Sequence, residues 1–529
     1  MVDGIIEKIG KEKLEQLAVE NHIVAKNAVY VILNKKLQYK ILTPEKFCEN
    51  EEYVKMDYYS NLISTNKTVD LKKKISSNNK YTFFCRHLDR LTEKIIDNFF
   101  EKTDPEGQNK DFVTWIKQNY NNFEKEKQDY LKIFYTKDIE DCIKDGKEYL
   151  KNRALNKTIF KAPEGMGNNI FYAANQKKPY TVRRSLKVDD GLVDKETAYW
   201  YVCVYNLLKG IIKQGKNIVY ITKGNVYTYN VFKDGPEKMM DAIVLVPGFN
   251  NRGEICIYDY EEIAKYTNDL RERGRKGNGI LLENYMQIEN AELSSVNYYE
   301  EITDVRKMER LFNSYFFDGN LMKAYFGDTK DAILTKYKKA YFDYFWKNAD
   351  RSIEKIIDES TIEEIKKTAM EGETFKGQRQ FNLRWSTLEY LNEKQTGKHF
   401  EEAYMTLRYH INLKQYDEWE FSGKDEYNIA AGMAVRYLAD LGDKMIKNEY
   451  YLKGILGAKN AAAVKKKLLE IYKKVDFKIY HVNDGRIQKM LSKIMEDERF
   501  EKDNEMILAG YVAQSLIYEK KEGSTNDKI

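Results

Sequence analysis

Three short stretches concentrate the residue types that can hold a phosphodiester backbone or read a base edge. The first is Lys72, Lys73 and Lys74 followed by Ser76, Ser77, Asn78, Asn79 and Lys80. Ammonium groups suit phosphate, and an Asn amide both donates to and accepts from a base edge. A plain surface turn would have the same composition. The second is Gly165, Met166, Gly167, Asn168 and Asn169, with Lys177, Lys178, Arg183 and Arg184 downstream. Glycines let the backbone approach a groove or a phosphate closely, although an ordinary Gly-rich loop is the simpler reading. The third, Arg271, Arg273, Gly274, Arg275, Lys276, Gly277 and Asn278, is the densest cationic loop. Cations spaced by glycine suit a mobile phosphate clamp. A fourth stretch, Lys376 to Trp385, could meet nucleic acid or a neighbouring subunit, but Phe381 and Trp385 read more simply as core.

Covalent chemistry finds less to work with. The five histidines, His22, His87, His399, His410 and His481, stand apart from one another, without the HD or HxH pairing of a metal-dependent nuclease. No GxxxxGK[ST] phosphate loop, GxSxG elbow or HExxH helix is present. The pairs Glu363-Glu364 and Glu401-Glu402 sit on charged helical faces and read as solvent-exposed. Cys48, Cys85, Cys142, Cys203 and Cys256 show no CxxC spacing, which disfavours a zinc site and a disulfide framework. A protein without catalytic residues, metal or cofactor is expected, in a reducing compartment.

The elements that must position these stretches are of two kinds. Charged residues make up 32% and hydrophobic ones 42% of 529, so a folded chain with a large core is expected. Lys plus Arg number 88 against 83 for Asp plus Glu, so any nucleic-acid surface must be local. Six prolines favour long uninterrupted helices. Abundant Tyr and Phe could stack on bases, but abundance of Lys, Asn, Ile and Tyr together is what an AT-rich genome encodes. The start has the alternation of an amphipathic helix rather than a signal peptide, and no window spans a membrane, so a cytoplasmic protein is expected.

Residues 28–43 predict strand, turn, strand; 85–100 and 111–135 predict helices; 194–213 predicts a buried helix. Hairpins are predicted at 217–232, turning at Lys223-Gly224-Asn225, and at 242–260, turning around Asn250 to Gly253. From Asp304 onward the spacing is helical. The predicted fold is an α+β N-terminal region, 1–395, followed by an all-α bundle, 396–520, with helices near 399–415, 425–446, 461–475, 484–496 and 504–519, and a disordered tail, 521–529.

Four pieces of that bundle follow a recognisable order: Ala431-Gly432 with Tyr437-Leu438, Ile471-Tyr472-Lys473-Lys474, Ile494-Met495, and Leu508-Ala509-Gly510-Tyr511 leading to Leu516-Ile517-Tyr518-Glu519. In that order they resemble the C-terminal helical domain of the large subunit of type I-B CRISPR effector complexes (Cascade). KKKISSNNKYTFFCR (72–86) is similar to an N-terminal segment of the same family. The chain departs from many members in lacking a cysteine-based zinc element mid-chain, which leaves 150–300 without a transferable motif.

The resemblance implies a non-catalytic large subunit of an RNA-guided surveillance complex serving antiviral defence. It would recognise PAM duplex DNA, promote unwinding and R-loop formation, and help recruit a helicase-nuclease. The implied partners are guide RNA, double-stranded target DNA with its displaced strand, and the backbone, guide-end-binding and small subunits; no membrane is involved. The candidate nucleic-acid-binding residues are Lys72, Lys73, Lys74, Ser77, Asn78, Asn79, Lys80, Gly165, Gly167, Asn168, Asn169, Arg271, Arg273, Arg275 and Lys276. Family members often yield their C-terminal domain separately by internal translation. Glu401-Glu402 encodes a purine tract at ribosome-binding distance from Met405, a candidate start for such a product. The rival reading is a helical interaction or structural protein of a mobile element, independent of guide RNA; a metal-dependent nuclease is a more distant third.

Overall fold

The run Ala28-Val-Tyr-Val-Ile-Leu33 forms strand β1, which is buried along its whole length, on both faces, and has strands on both sides. Strand β2, Tyr39–Leu42, pairs with it antiparallel on one side, and strand β4, Tyr130–Tyr135, pairs parallel on the other. Strand β3, Thr82–Cys85, lies antiparallel to β4, giving the order β2-β1-β4-β3. The predicted strand, turn, strand at 28–43 is therefore present. The predicted helix at 111–135 is corrected: Lys110–Asn119 is helical, but 130–135 is a central strand. Leu131, Ile133, Phe134 and Tyr135 fill both faces of β4, which erases the period-two signal of a half-exposed strand. The predicted helix at 85–100 likewise begins only at Glu93, after Cys85 has closed β3.

The computed structural model describes the chain except residues 62–74, 87–90, 124–129, 150–164, 167–192, 231–232, 250–252, 254, 274–276, 290–296, 318–320, 326–330, 414–418, 443–447, 480–484, 498 and 520–529. It divides into two units, 1–235 with 240–264, and 236–239 with 265–529.

The first unit has α+β structure. Helices Val2–Ile9 and Lys11–Glu20 are separated at Gly10, whose φ of 84° no longer fits a helix, and they bury Ile5, Ile9, Leu14 and Ala18. The helix predicted at 194–213 is observed as Lys195–Lys213. Both predicted strand pairings form, and the second turn, around Asn250 to Gly253, lies largely outside the described residues. Strands Ile218–Thr222 (β7) and Asn225–Tyr229 (β8) turn at Lys223-Gly224, where Gly224 takes φ of 72°; Lys238–Phe249 (β9) and Ile255–Thr267 (β10) pair in the same sheet, order β10-β9-β7-β8. Of the Gly-rich stretch, Gly165–Met166 (β5) pairs with Val193–Asp194 (β6).

One charge lies inside this unit. Asp57 has no exposed surface and holds Lys132 Nζ of β4 at 2.5 Å and His22 Nε2 at 2.8 Å. Burial alone would raise the Asp57 carboxyl; the charge of Lys132 and the hydrogen bond from His22 outweigh it and bring it down to about 2. Its folded value lies below that of an unfolded Asp, about 3.9. The stability it contributes is thus complete above about pH 4 and lost as pH falls through about 2. Lys132→Met leaves that buried carboxylate with His22 alone, and a loss of about 3–5 kcal/mol at neutral pH is expected in urea unfolding. The same substitution should flatten the acid limb of the stability curve; a variant as stable as the parent at pH 7 would contradict the assignment.

The second unit is helical from Val305 onward, apart from loops. Its centre is the helix Thr374–Asn392, buried on every side from Gln380 to Leu388 although about half of those residues are polar. Most of its polar side chains are bonded: Gln380 Nε2 donates to Tyr315 O at 2.6 Å, Asn382 Oδ1 accepts from Met286 N at 2.9 Å, and Ser386 Oγ accepts from Glu283 N at 3.0 Å, while Gln380 Oε1 and Arg379 Nε have no partner among the described residues. Arg384 donates to both Glu505 oxygens at 3.0 Å and to Asp358, and Trp385 Nε1 donates to Glu505 at 2.8 Å. These bonds join the helix to residues beyond 396, so the division falls near Ala264 rather than at the expected 395.

The helices expected after 396 are observed at Thr396–Ile411, Lys424–Leu441, Ala461–Ile479, Arg486–Glu496 and Asn504–Val512; Asn448–Leu456 is an additional one. The last stops at Val512, earlier than the predicted 519. Lys424–Leu441 and Asn504–Val512 cross where Gly432 meets the Ile507 carbonyl and Gly510 meets the Ile429 carbonyl, with no room for a Cβ at either glycine.

Candidate nucleic-acid interface

Within the stretch singled out first, Ser77, Asn78 and Asn79 do not present their polar groups to a ligand. Ser77 and Asn79 are fully buried, and Asn78 is 3% exposed. Asn78 Nδ2 donates to Tyr59 O at 2.8 Å, and Asn79 Nδ2 donates to Ser60 Oγ at 2.8 Å. Asn79 Oδ1 accepts from Tyr81 N at 3.0 Å and Thr82 Oγ1 at 3.1 Å, while Ser77 Oγ donates to Thr82 O at 2.8 Å. These amides stand in for backbone partners where the chain turns into β3 beside the helix Glu51–Ser60. Base reading by Asn78 and Asn79 is therefore corrected to a buried structural role. Lys80 is engaged as well, with Nζ on Gln108 Oε1 at 2.8 Å and Asp141 at 3.2 Å.

The cationic loop is likewise split. Arg273, its side chain 1% exposed, donates to Thr267 O at 2.8 Å and Tyr344 O at 2.7 Å, with its guanidinium over the rings of Tyr266 and Tyr344. It is a core strut, not a phosphate clamp, because every neighbour that shields it also excludes a ligand. Arg271 is exposed but clasps Asp269 through Nε and Nη2, at 2.9 and 2.7 Å. Lys72, Lys73, Lys74, Gly167, Asn168, Asn169, Lys177, Lys178, Arg183, Arg184, Arg275 and Lys276 lie outside the described residues, and of Gly165 only the strand pairing is described. Phe381 and Trp385 are core, as expected.

A different surface carries uncompensated charge. Between Tyr450 and Lys474 the chain has seven lysines and one glutamate, more positive charge than the net +5 of all 529 residues. The helix Ala461–Ile479 turns Val464, Leu468, Ile471, Val475 and Ile479 inward at helical spacing. That leaves Lys466, Lys473 and Lys474 exposed on the other side, with Leu469 at 42%.

The lysines of this hairpin sort into two groups. Lys465 Nζ donates to Met495 O at 3.3 Å and Lys478 Nζ to Leu441 O at 2.7 Å, each at the carbonyl end of a neighbouring helix, where cations are favoured. The ammonium groups of Lys453, Lys459, Lys466, Lys467, Lys473 and Lys474 make no hydrogen bond or ion pair among the described residues. On the preceding helix, a Cβ placed on Gly454 would lie 3.7 Å from Lys467 Nζ, and Tyr450, one turn back on the same face, is 67% exposed. An exposed ring beside unpaired ammonium groups can stack on a base while the cations hold the backbone of a single strand. The run Lys465-Lys466-Lys467 followed by Lys473-Lys474 was the available sequence signal, and it reads as an ordinary solvated helix face.

Among the described residues, no cluster of three or more His, Cys, Asp and Glu could hold a metal ion, and no helix is long and apolar enough to cross a membrane. His22 and His410 each bond a buried carboxylate, Asp57 at 2.8 Å and Glu426 at 2.7 Å. Glu426 also accepts from Ser422 N and Oγ, both at 2.8 Å, so this is a satisfied packing contact rather than a dyad facing a cleft. No family model, curated protein or solved structure matches the chain.

Proposed function

We propose that the chain is a non-catalytic, nucleic-acid-binding large subunit of an RNA-guided DNA surveillance complex of the type I-B CRISPR kind, acting in the cytoplasm. The observation that carries nucleic-acid binding is the hairpin 448–479, with Tyr450 and six lysines that have no partner among the described residues. The family part of the reading rests on the order of the C-terminal motifs. It gains coherence because two of them, Ala431-Gly432 and Ala509-Gly510, meet at one helix crossing. In this reading the bundle tracks the backbone of a single strand, guide pairing supplies sequence specificity, and PAM duplex is met by the segments around Gly165–Asn169 and Arg275–Lys276. Asn78 and Asn79 have no part in it. Cleavage belongs to a recruited helicase-nuclease.

Fluorescence anisotropy of the purified chain with a labelled 30-nucleotide single strand tests the binding, with and without Mg²⁺ or Mn²⁺. Salt-sensitive binding and an intact strand are expected. Strand cleavage dependent on the divalent ion would favour a nuclease, and absence of binding at low salt would leave the mobile-element interaction protein.

The internal start at Met405 belongs to the same proposal, under a structural condition. Met405 lies within the helix Thr396–Ile411, so a product of residues 405–529 loses the buried Phe400 and Tyr404 together with Arg384, the partner of Glu505. Such a fragment would be stable only when bound to another subunit. Recoding Met405 to Leu should abolish a copurifying fragment of that size in intact-mass analysis; its persistence would contradict this start site.

A further inference from the structure

The two outer edges of the sheet β2-β1-β4-β3 are finished differently. Beside β3 the chain doubles back: Ile75 bridges to Cys85, and Ser76 N donates to Phe84 O at 2.8 Å. Beside β2 no described segment runs. The hairpin register pairs Leu33 with Tyr39 and Val31 with Ile41, and the bond from Asn34 N to Gln38 O at 3.0 Å fixes its phase. Gln38, Lys40 and Leu42 then turn their backbone groups toward β1, and Tyr39 and Ile41 turn theirs outward, where no described group meets them.

The side chains at the same two positions are exposed. Tyr39 is 49% and Ile41 46% exposed, both on one face of the strand, with Tyr39 packed edge-on against Trp115 at 5.4 Å and Phe123 at 6.0 Å. An apolar edge strand with open backbone groups is a hazard that proteins usually cover or charge. Here the charge has one sign: residues 34–43 contain Lys35, Lys36 and Lys40 and no Asp or Glu. All three lysines are exposed, and none forms an ion pair among the described residues.

We infer that β2 is a docking edge for an extended, acidic segment of a partner protein, which adds a fifth strand to the sheet. The outward backbone groups of Tyr39 and Ile41 supply the ladder bonds, the apolar floor of Tyr39 and Ile41 takes alternate apolar side chains, and Lys35, Lys36 and Lys40 select negative charge. This interaction is independent of nucleic-acid binding.

The test is fluorescence anisotropy of the full chain with a labelled octapeptide of alternating Glu and Val. Saturable, salt-weakened binding is expected, with a Lys and Val octapeptide failing to bind. Ile41→Pro removes an outward N–H while sparing the β1 ladder, and it should weaken binding about tenfold with the unfolding curve unchanged. Lys35, Lys36 and Lys40 changed together to Glu should abolish it. Should Ile41→Pro fail to fold, hydrogen exchange on the unsubstituted chain gives the answer: peptide should slow the amides of Tyr39 and Ile41. No binding, equal binding of the basic peptide, unchanged exchange at those amides, or a homodimer dissolved by Ile41→Pro would each overturn the inference.

Discussion

Changing Lys466, Lys473 and Lys474 together to alanine should lower affinity for a single strand about a hundredfold at roughly 0.1 M salt. The magnitude follows from counterion release. Each phosphate contact to a single strand contributes about 0.7 to the slope of log affinity against log salt, so three contacts are worth about two decades there. The salt slope itself should fall by about 2, a signature that misfolding does not produce. The three side chains are exposed and have no partner among the described residues, so the variant should unfold at the same urea concentration as the parent. Lys336 and Lys339 provide the control. They are exposed too, but pair with Glu359 at 2.8 Å and Asp343 at 2.7 Å, and their removal should leave affinity within about twofold. Tyr450→Ala should add a further loss of about 1–3 kcal/mol in binding without changing the salt slope.

The second large effect concerns the helix crossing that unites the C-terminal motifs. Gly to Ala inside a helix ordinarily stabilises by about 1 kcal/mol. At Gly432 and Gly510 the sign should reverse, because the added methyl meets the backbone carbonyls of Ile507 and Ile429 rather than a side chain that can swing away. The helices must separate, and a net loss of about 3 kcal/mol is expected for each variant, seen as a fall of about 10 °C in the unfolding of the second unit. Gly454→Ala should move the other way. It lies in a helix with only the flexible end of Lys467 within 4 Å, so the propensity gain of up to about 1 kcal/mol should survive. Stabilisation at all three glycines would remove the crossing from the description of the bundle.

What the sequence made legible was local. The turn at Lys223-Gly224 needs a positive φ that Gly supplies cheaply, and the helix at 195–213 carries a periodic apolar face, so both could be placed from spacing alone. The failures share a cause in partners remote along the chain. Asn78 and Asn79 beside lysines have surface composition, yet they are buried because Tyr59, Ser60 and Thr82 saturate their amides. Arg384 looks like a surface cation until Glu505, 121 residues later, reaches it, and this long-range pair moves the boundary away from 395. Arg273 is absorbed by Tyr266 and Tyr344 in the same way.

The surface cations show the converse. A lysine run on a helix carries no local mark that separates a binding face from a solvated one. Only the fold shows that Lys465 and Lys478 cap neighbouring helices while Lys466, Lys473 and Lys474 have no partner among the described residues. Strand β4 was missed for a physical reason of its own, since a strand buried on both faces loses the alternation that identifies it.

The most direct test of an RNA-guided role is to purify the full-length chain from its native host under mild salt and sequence the RNA that comes with it. The expected result is a population of uniform, repeat-derived guide RNAs, retained by the parent together with its partner subunits. Recovery of the chain without RNA, or with a heterogeneous sample of cellular transcripts, would contradict that role.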